Sequence, residues 1–254
     1  MICYGILGLV QGLTEFLPVS SSGHLVLAQE YLKVESPGIV LEVALHVATA
    51  LAIIIYFRRR LVDIFRAAAG GPGGWLKFLG LVIVASAPAA VVGLAFEDRV
   101  ESLFESTTGV GIALLFTAAV LFASALIKRR GGTIAQMSFW AALVVGLAQA
   151  LAIAPGVSRS GMTIVAGLAV GLAGAEAASF SFLMSVPAIL GAALLESRKI
   201  ESFGGDWAGV ALGSAVAFAA GLAAIYIVLA SVRGRKFGWF GVYCVVVGLA
   251  VLLI

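Results

Sequence analysis

The chain carries more unbroken apolar sequence than packing in water can hide. Six stretches, at roughly 38–57, 75–96, 107–127, 176–195, 207–231 and 237–254, are long enough to cross a hydrocarbon core, which takes about 20 residues of helix. Composition agrees: 62% of the 254 residues are hydrophobic and 11% charged, against about 45–50% and about 25% in an ordinary soluble domain. So apolar a background excludes a disordered or collagen-like chain despite its 31 glycines. The predicted fold class is an all-α integral membrane protein, one membrane domain over 1–254. A net charge of +3 and a pI near 9.0 would suggest nucleic acid for a soluble chain. Here the basic residues follow topology instead, and no nucleic-acid partner is expected. Cys3 and Cys244 stand alone in apolar runs, so neither a disulfide nor a zinc site is expected. No basic leader or A-x-A site accompanies the apolar run at Met1, so no cleaved signal peptide is expected.

Two further regions, near 1–32 and 133–172, are apolar but interrupted, the first by LPVSSSGH (17–24) and the second by APGVSRSG (154–161). Proline, glycine and serine stop a helix there, and the flanking halves are too short to span alone. Irregular backbone at membrane depth survives only where protein buries it or water reaches it. Both regions are therefore predicted to be re-entrant helix–loop–helix hairpins, added to six transmembrane helices.

The two interruptions match. Setting QGLTEFLPVSSSGHL (11–25) over QALAIAPGVSRSGMT (149–163) pairs Gln11 with Gln149, Ser20 with Ser158, Ser22 with Ser160 and Gly23 with Gly161. Three full spans follow each hairpin. Three is odd, so the second half is predicted to lie upside down relative to the first, giving inverted repeats of about 1–130 and 131–254.

Charge orients them. Eleven of the 16 basic residues, including Arg58, Arg59, Arg60, Arg66, Lys128, Arg129, Arg130 and the RGRK run at 233–236, fall on one side, which the positive-inside rule makes cytoplasmic. Lys33, Arg99, Arg198 and Lys199 fall opposite, among Glu35, Glu97, Asp98, Glu101, Glu201 and Asp206; Arg159 lies in the second loop. Both termini are then outside. The first hairpin dips from the outer face and the second from the inner, so their tips can meet near the midplane.

Ionisable groups at that depth are costly and point to function. Glu15 and His24 flank the first loop, and Arg159 sits in the second. If the tips meet, a carboxylate, an imidazole and a guanidinium converge with the hydroxyls of Ser20, Ser21, Ser22, Ser158, Ser160 and Thr163. Half-helices starting near Ser22-Gly23-His24 and Ser160-Gly161-Met162 would aim their free N–H groups and positive dipole ends at the same place. With an arginine fork, such a nest suits phosphate oxygens. Glu15 needs a separate reason to be there: binding a divalent cation that bridges to phosphate, orienting His24, or carrying a proton. Ser21, His24 or an activated water can serve as nucleophile. Alone, either serine-rich loop reads as helix capping; the repeat and the buried charges argue for a site. Gln11 and Gln149 are expected to bond across the hairpins. Glu42 and His46, four apart on the first span, are expected to pair or to support the site. Glu176 reads as a carboxylate at a helix start, the Arg58–Arg60 run as a headgroup anchor, and Trp75, Trp207 and Trp239 as interface anchors.

GLVQGLTEFLPVSSSGHL (8–25) and PGVSRSGMT (155–163) resemble the two signature segments of the bacterial undecaprenyl-diphosphate phosphatases of the bacitracin-resistance type. The likeness spans essentially the whole chain. It implies an enzyme of the bacterial inner (plasma) membrane that hydrolyses undecaprenyl diphosphate to the monophosphate and inorganic phosphate. That recycles the carrier lipid of peptidoglycan synthesis and confers bacitracin resistance. The resemblance places the family's E/Q-xxx-E motif on Gln11 and Glu15, and its essential serine, histidine and arginine on Ser21, His24 and Arg159. It also implies Mg²⁺ or Ca²⁺ as cofactor, with Glu15 as the metal ligand, and a site open to the outer side. Gln11, Ser20, Ser22, Gly23, Ser158, Ser160, Gly161 and Thr163 are the expected substrate-binding set. Membrane lipids and the polyprenyl diphosphate are the expected partners, with a homodimer left open. The competing class is a polyprenyl-phosphate transporter or flippase, since inverted repeats with a midplane anion site also mark transporters; a third is an inert scaffold.

Overall fold

A computed structural model describes residues 1–32, 39–66, 73–96, 106–128, 130–198, 200 and 206–253. Lys33, Glu35, Glu97, Asp98, Arg99, Glu101, Arg129, Lys199 and Glu201, which helped to orient the chain, lie outside the described residues.

The apolar runs become helices because, in lipid, a backbone without internal hydrogen bonds costs several kcal/mol per unsatisfied group, roughly. In chain order they are α1 Ile2–Thr14, α2 Ser21–Leu32, α3 Ile39–Tyr56, α4 Arg58–Arg66, α5 Gly73–Ala95, α6 Thr107–Ala123, α7 Phe139–Leu151, α8 Arg159–Ala169, α9 Gly174–Ser197, α10 Trp207–Arg233 and α11 Phe240–Leu253. Polar caps open several of them: Ser106, Ser138 and Asp206 accept from the N–H groups of Gly109, Ala141 and Gly209. Among the described residues five helices have the length and apolarity to cross a membrane, against six expected. The sixth run starts with a 3₁₀ turn, Phe237–Trp239, leaving α11 only 14 residues. The Arg58–Arg60 run, expected to be a headgroup anchor, opens the short basic helix α4. In fact Arg60 points its guanidinium at Glu176 in the first turn of α9, at 2.7–2.8 Å to both carboxylate oxygens. The second of those oxygens also accepts from the Ile134 N–H at 2.9 Å.

Two helix–loop–helix hairpins, α1–α2 and α7–α8, are each clamped by a long helix from the other half of the chain. α1 packs along α10 and α7 along α5, while α6 packs along α11. The first two contacts are backbone-close. A Cβ on Gly8 would fall 2.2 Å from the Gly213 carbonyl oxygen, and one on Gly146 would fall 2.6 Å from that of Ala85. Without a hydrophobic drive between helices in lipid, such close small-residue packing is what holds them together. A buried cluster fills the middle, with Phe16 of the first loop set edge-on against Phe182 of α9 at 5.4 Å. That aromatic plug fixes the loop beside it, and so fixes Glu15.

Candidate active site

Each hairpin turns by the same local device. Ser20 and Ser158 precede α2 and α8, and their hydroxyls accept from the N–H groups of Gly23 (3.4 Å) and Gly161 (3.1 Å). The paired serines follow suit: Ser20 meets Ser22 at 3.3 Å and Ser158 meets Ser160 at 3.2 Å. The matched residues thus make the same N-terminal cap twice, each worth about 1 kcal/mol.

The loops are then sewn to one another. Ser20 Oγ accepts from the Gly156 N–H of the second loop at 3.0 Å, and Ser160 Oγ donates to the Leu17 carbonyl of the first at 3.2 Å. Gly156 takes φ +90°, and a Cβ there would lie 2.6 Å from the Val110 carbonyl oxygen, so only glycine lets the loops cross. Ser20 holds φ 70° although it carries a side chain, a conformation that persists only where surrounding bonds impose it. Thr117 of α6 braces the second loop, donating to the Gly156 carbonyl at 3.0 Å and accepting from the Ser158 N–H at 3.1 Å.

At the junction lies Glu15, with its side chain 4% exposed. Ser21, first residue of α2, donates its hydroxyl to Glu15 Oε2 at 2.7 Å, and Gln11 Nε2 donates to the same oxygen at 3.1 Å. Arg159, first residue of α8, donates to Glu15 Oε1. Ser21 and Arg159 occupy equivalent positions when the two loops are aligned. The charge of the buried carboxylate is therefore neutralised by one hairpin and hydrogen-bonded by the other.

His24 sits one turn into α2. Its Nδ1 faces the Ser20 carbonyl oxygen at 2.8 Å, and its Nε2 faces the Tyr243 hydroxyl of α11 at 2.8 Å. Thr163 does not join the centre: its hydroxyl donates to the Arg159 carbonyl and meets Ser181 of α9 at 2.6 Å. The expected bond between Gln11 and Gln149 is absent. Gln149 instead donates to the Ala85 carbonyl of α5 at 3.4 Å, because α5 and not the other hairpin is its packing partner. The Glu42–His46 pairing also takes another form, since His46 Nδ1 faces the backbone oxygen of Glu42 at 2.8 Å. Beside the first loop an apolar groove of about 720 Å³ runs between α1, α10 and α11, lined by Leu13, Leu17, Val19, Trp239, Phe240 and Tyr243 among others. Lys236 also lines it.

The profile of a family described as bacitracin resistance protein BacA matches residues 4–250. The chain belongs to the BacA family. Among curated relatives of this BacA chain, an undecaprenyl-diphosphatase from Syntrophotalea carbinolica is 40% identical over 250 residues, covering 96% of this chain and 94% of its own. One from Halothermothrix orenii is 40% identical over 253 residues, with 98% and 95% covered. One from Desulfosudis oleivorans is 41% identical over 261 residues, with 96% and 94% covered. Family membership and the long apolar helices together make this a multi-pass membrane protein.

The BacA site can be tested for a divalent cation by its donors. Among the described residues no three His, Cys, Asp or Glu side chains cluster. Gln11 Oε1, however, is buried without a hydrogen-bond partner, on the side chain whose nitrogen bonds Glu15. One carboxylate and one amide oxygen fit a hard cation that takes its remaining ligands from phosphate and water. Sequence reasoning missed Tyr243 and Thr117 of this BacA site. Tyr243 stands in an otherwise apolar helix and Thr117 is the one threonine of α6 beyond its first turn, and that was the available signal.

Proposed function

We propose that this protein hydrolyses undecaprenyl diphosphate to undecaprenyl monophosphate and inorganic phosphate, the activity named for its relatives. The observation that carries this reading is the convergence of Ser21 and Arg159 on Glu15. The Ser21 hydroxyl already donates to a carboxylate oxygen, so Glu15 is placed to take its proton. Ser21 Oγ then attacks the terminal phosphorus, the bond from that phosphorus to the bridging oxygen breaks, and undecaprenyl monophosphate leaves. Water hydrolyses the phosphoserine and frees inorganic phosphate. Arg159 turns its fork from Glu15 to the phosphate oxygens as the charge spreads over them. Ser21 is favoured over His24 as nucleophile because both ring nitrogens of His24 have partners; His24, on the same half-helix, assists the attack.

Mg²⁺ or Ca²⁺ would be held by Glu15 and Gln11 Oε1, where it would neutralise diphosphate charge. Ser22, Gly23 and Gly161 belong to the half-helix N-termini that face the diphosphate. The isoprenoid chain lies in the groove beside Leu17 and Tyr243. Residues 1–130 and 131–254 form inverted repeats, a reading supported by the exchanged packing of α1 on α10 and α7 on α5. The protein resides in the bacterial inner membrane with its site open to the outer face, where the hydrolysis recycles the carrier lipid and protects against bacitracin.

Purified protein with Mg²⁺ is expected to release inorganic phosphate from a polyprenyl diphosphate. Full activity in Arg159→Ala or Glu15→Ala overturns the assignment. In sealed vesicles, transbilayer movement of intact substrate with no phosphate release would mark a transporter instead.

A further inference from the structure

Tyr243 lies 219 positions from His24 in sequence, yet its hydroxyl is 2.8 Å from His24 Nε2. The two rings stack as well, with centroids 5.6 Å apart and planes 15° from parallel. The neighbouring residue makes a second tie to the same loop: Cys244 Sγ approaches the Pro18 carbonyl oxygen at 3.5 Å. α11 is itself held close to α6, where a Cβ on Gly248 would fall 3.0 Å from the Gly111 carbonyl oxygen. Tyr243 is thus presented to the first hairpin by a helix with its own firm seat.

Chemistry fixes the direction of the bonds. The Ser20 carbonyl can only accept, so in the neutral ring Nδ1 carries the proton and Nε2 accepts from the tyrosine hydroxyl. We propose that Tyr243 is a positioning residue for His24, holding the imidazole in the Nδ1–H tautomer with Nε2 directed at the junction of the loop and the apolar groove. Ring stacking sets the plane and the hydroxyl sets the rotation, so removing the hydroxyl leaves one without the other. Tyr243 also lines the groove. The residue that orients His24 is therefore the one an isoprenoid chain touches as it passes the site. The kinetic part of this inference rests on the hydrolase reading; the contact itself does not.

The chain contains two histidines, so protein labelled with ¹⁵N at histidine gives two imidazole signal sets, and His46→Gln assigns them. In the wild type, His24 is expected to show a protonated Nδ1 and a hydrogen-bonded, unprotonated Nε2. Tyr243→Phe is expected to move the Nε2 resonance while leaving that of His46 in place. The same variant should lower kcat about tenfold, the equivalent of one hydrogen bond, with KM within about twofold. Tyr243→Leu, which also loses stacking, should lower kcat further. An unmoved Nε2 resonance in Tyr243→Phe overturns the contact. A kcat unchanged from wild type overturns the positioning role whatever the spectrum shows. If the wild type released no phosphate, the hydrolase reading would fail while the spectra still decided the Tyr243–His24 pairing.

Discussion

Ser21 and Arg159, each the first residue of its half-helix, donate to opposite oxygens of the Glu15 carboxylate. Aligned positions of two similar loops thus carry different chemistry: a hydroxyl that can be deprotonated on one side and a fixed positive charge on the other. A symmetric frame has been used to build an asymmetric centre.

On the proposed mechanism, replacing Ser21 by Ala removes the attacking oxygen but leaves Arg159 to hold the diphosphate. Phosphate release should fall by at least about a thousandfold, with substrate still bound. Rapid-quench labelling with ³²P in the terminal phosphate should trap a phosphoprotein in the wild type and none in Ser21→Ala. A labelled Ser21→Ala protein would refute the nucleophile.

Removing Arg159 strands the buried Glu15 carboxylate, at a cost of about 3–5 kcal/mol, whereas removing Glu15 strands a guanidinium that is partly exposed and should cost less. Glu15→Gln and Arg159→Met should each lower the unfolding temperature in detergent. The double variant should be more stable than the sum of the two losses allows, because no unpaired charge remains. Strictly additive losses would deny the coupling.

Chelation should abolish phosphate release, and added Mg²⁺ or Ca²⁺ should restore it. Gln11→Leu removes the unpartnered Oε1 and should raise the metal concentration needed for half-activation by about tenfold. Gln11→Glu should lower it. A metal dependence identical in all three proteins would place the cation elsewhere.

Ser20 combines a left-handed backbone with the bond that joins the loops. Ser20→Ala should destabilise by about 2 kcal/mol, from the lost cap and the lost bond to Gly156. Ser20→Gly relieves the backbone and should cost less. Ala as the milder change in a thermal unfolding series would contradict this.

Arg60→Ala should leave kcat unchanged, since Arg60 belongs to the Glu176 tie between α4 and α9. With both partners partly exposed, the stability loss should be about 1 kcal/mol. A large fall in kcat measured on folded protein would tie this contact to the chemistry.

Much of this was readable from spacing alone. The ends of α3, α5, α9 and α10 fall within about two residues of the apolar runs, because hydrocarbon leaves the backbone no alternative to helix. Ser20, Ser22, Gly23 and their partners announced themselves by repetition. Gln149 misled, because its repeat position suggests a partner in the facing hairpin, while packing gives it Ala85 of α5. Tyr243 stayed hidden for a related reason: helical periodicity places a residue on a face, but only assembled helices decide which neighbour that face meets.

The cross-stitch between Ser20 and Gly156, and between Ser160 and Leu17, has a consequence for biogenesis. The ribosome makes the first loop well over a hundred residues before the second, and until then Ser20 Oγ lacks its Gly156 donor and the Leu17 carbonyl its Ser160 donor. The first loop can therefore reach its final packing only after its late counterpart has been made, so the earlier hairpin completes its fold as a late step of assembly.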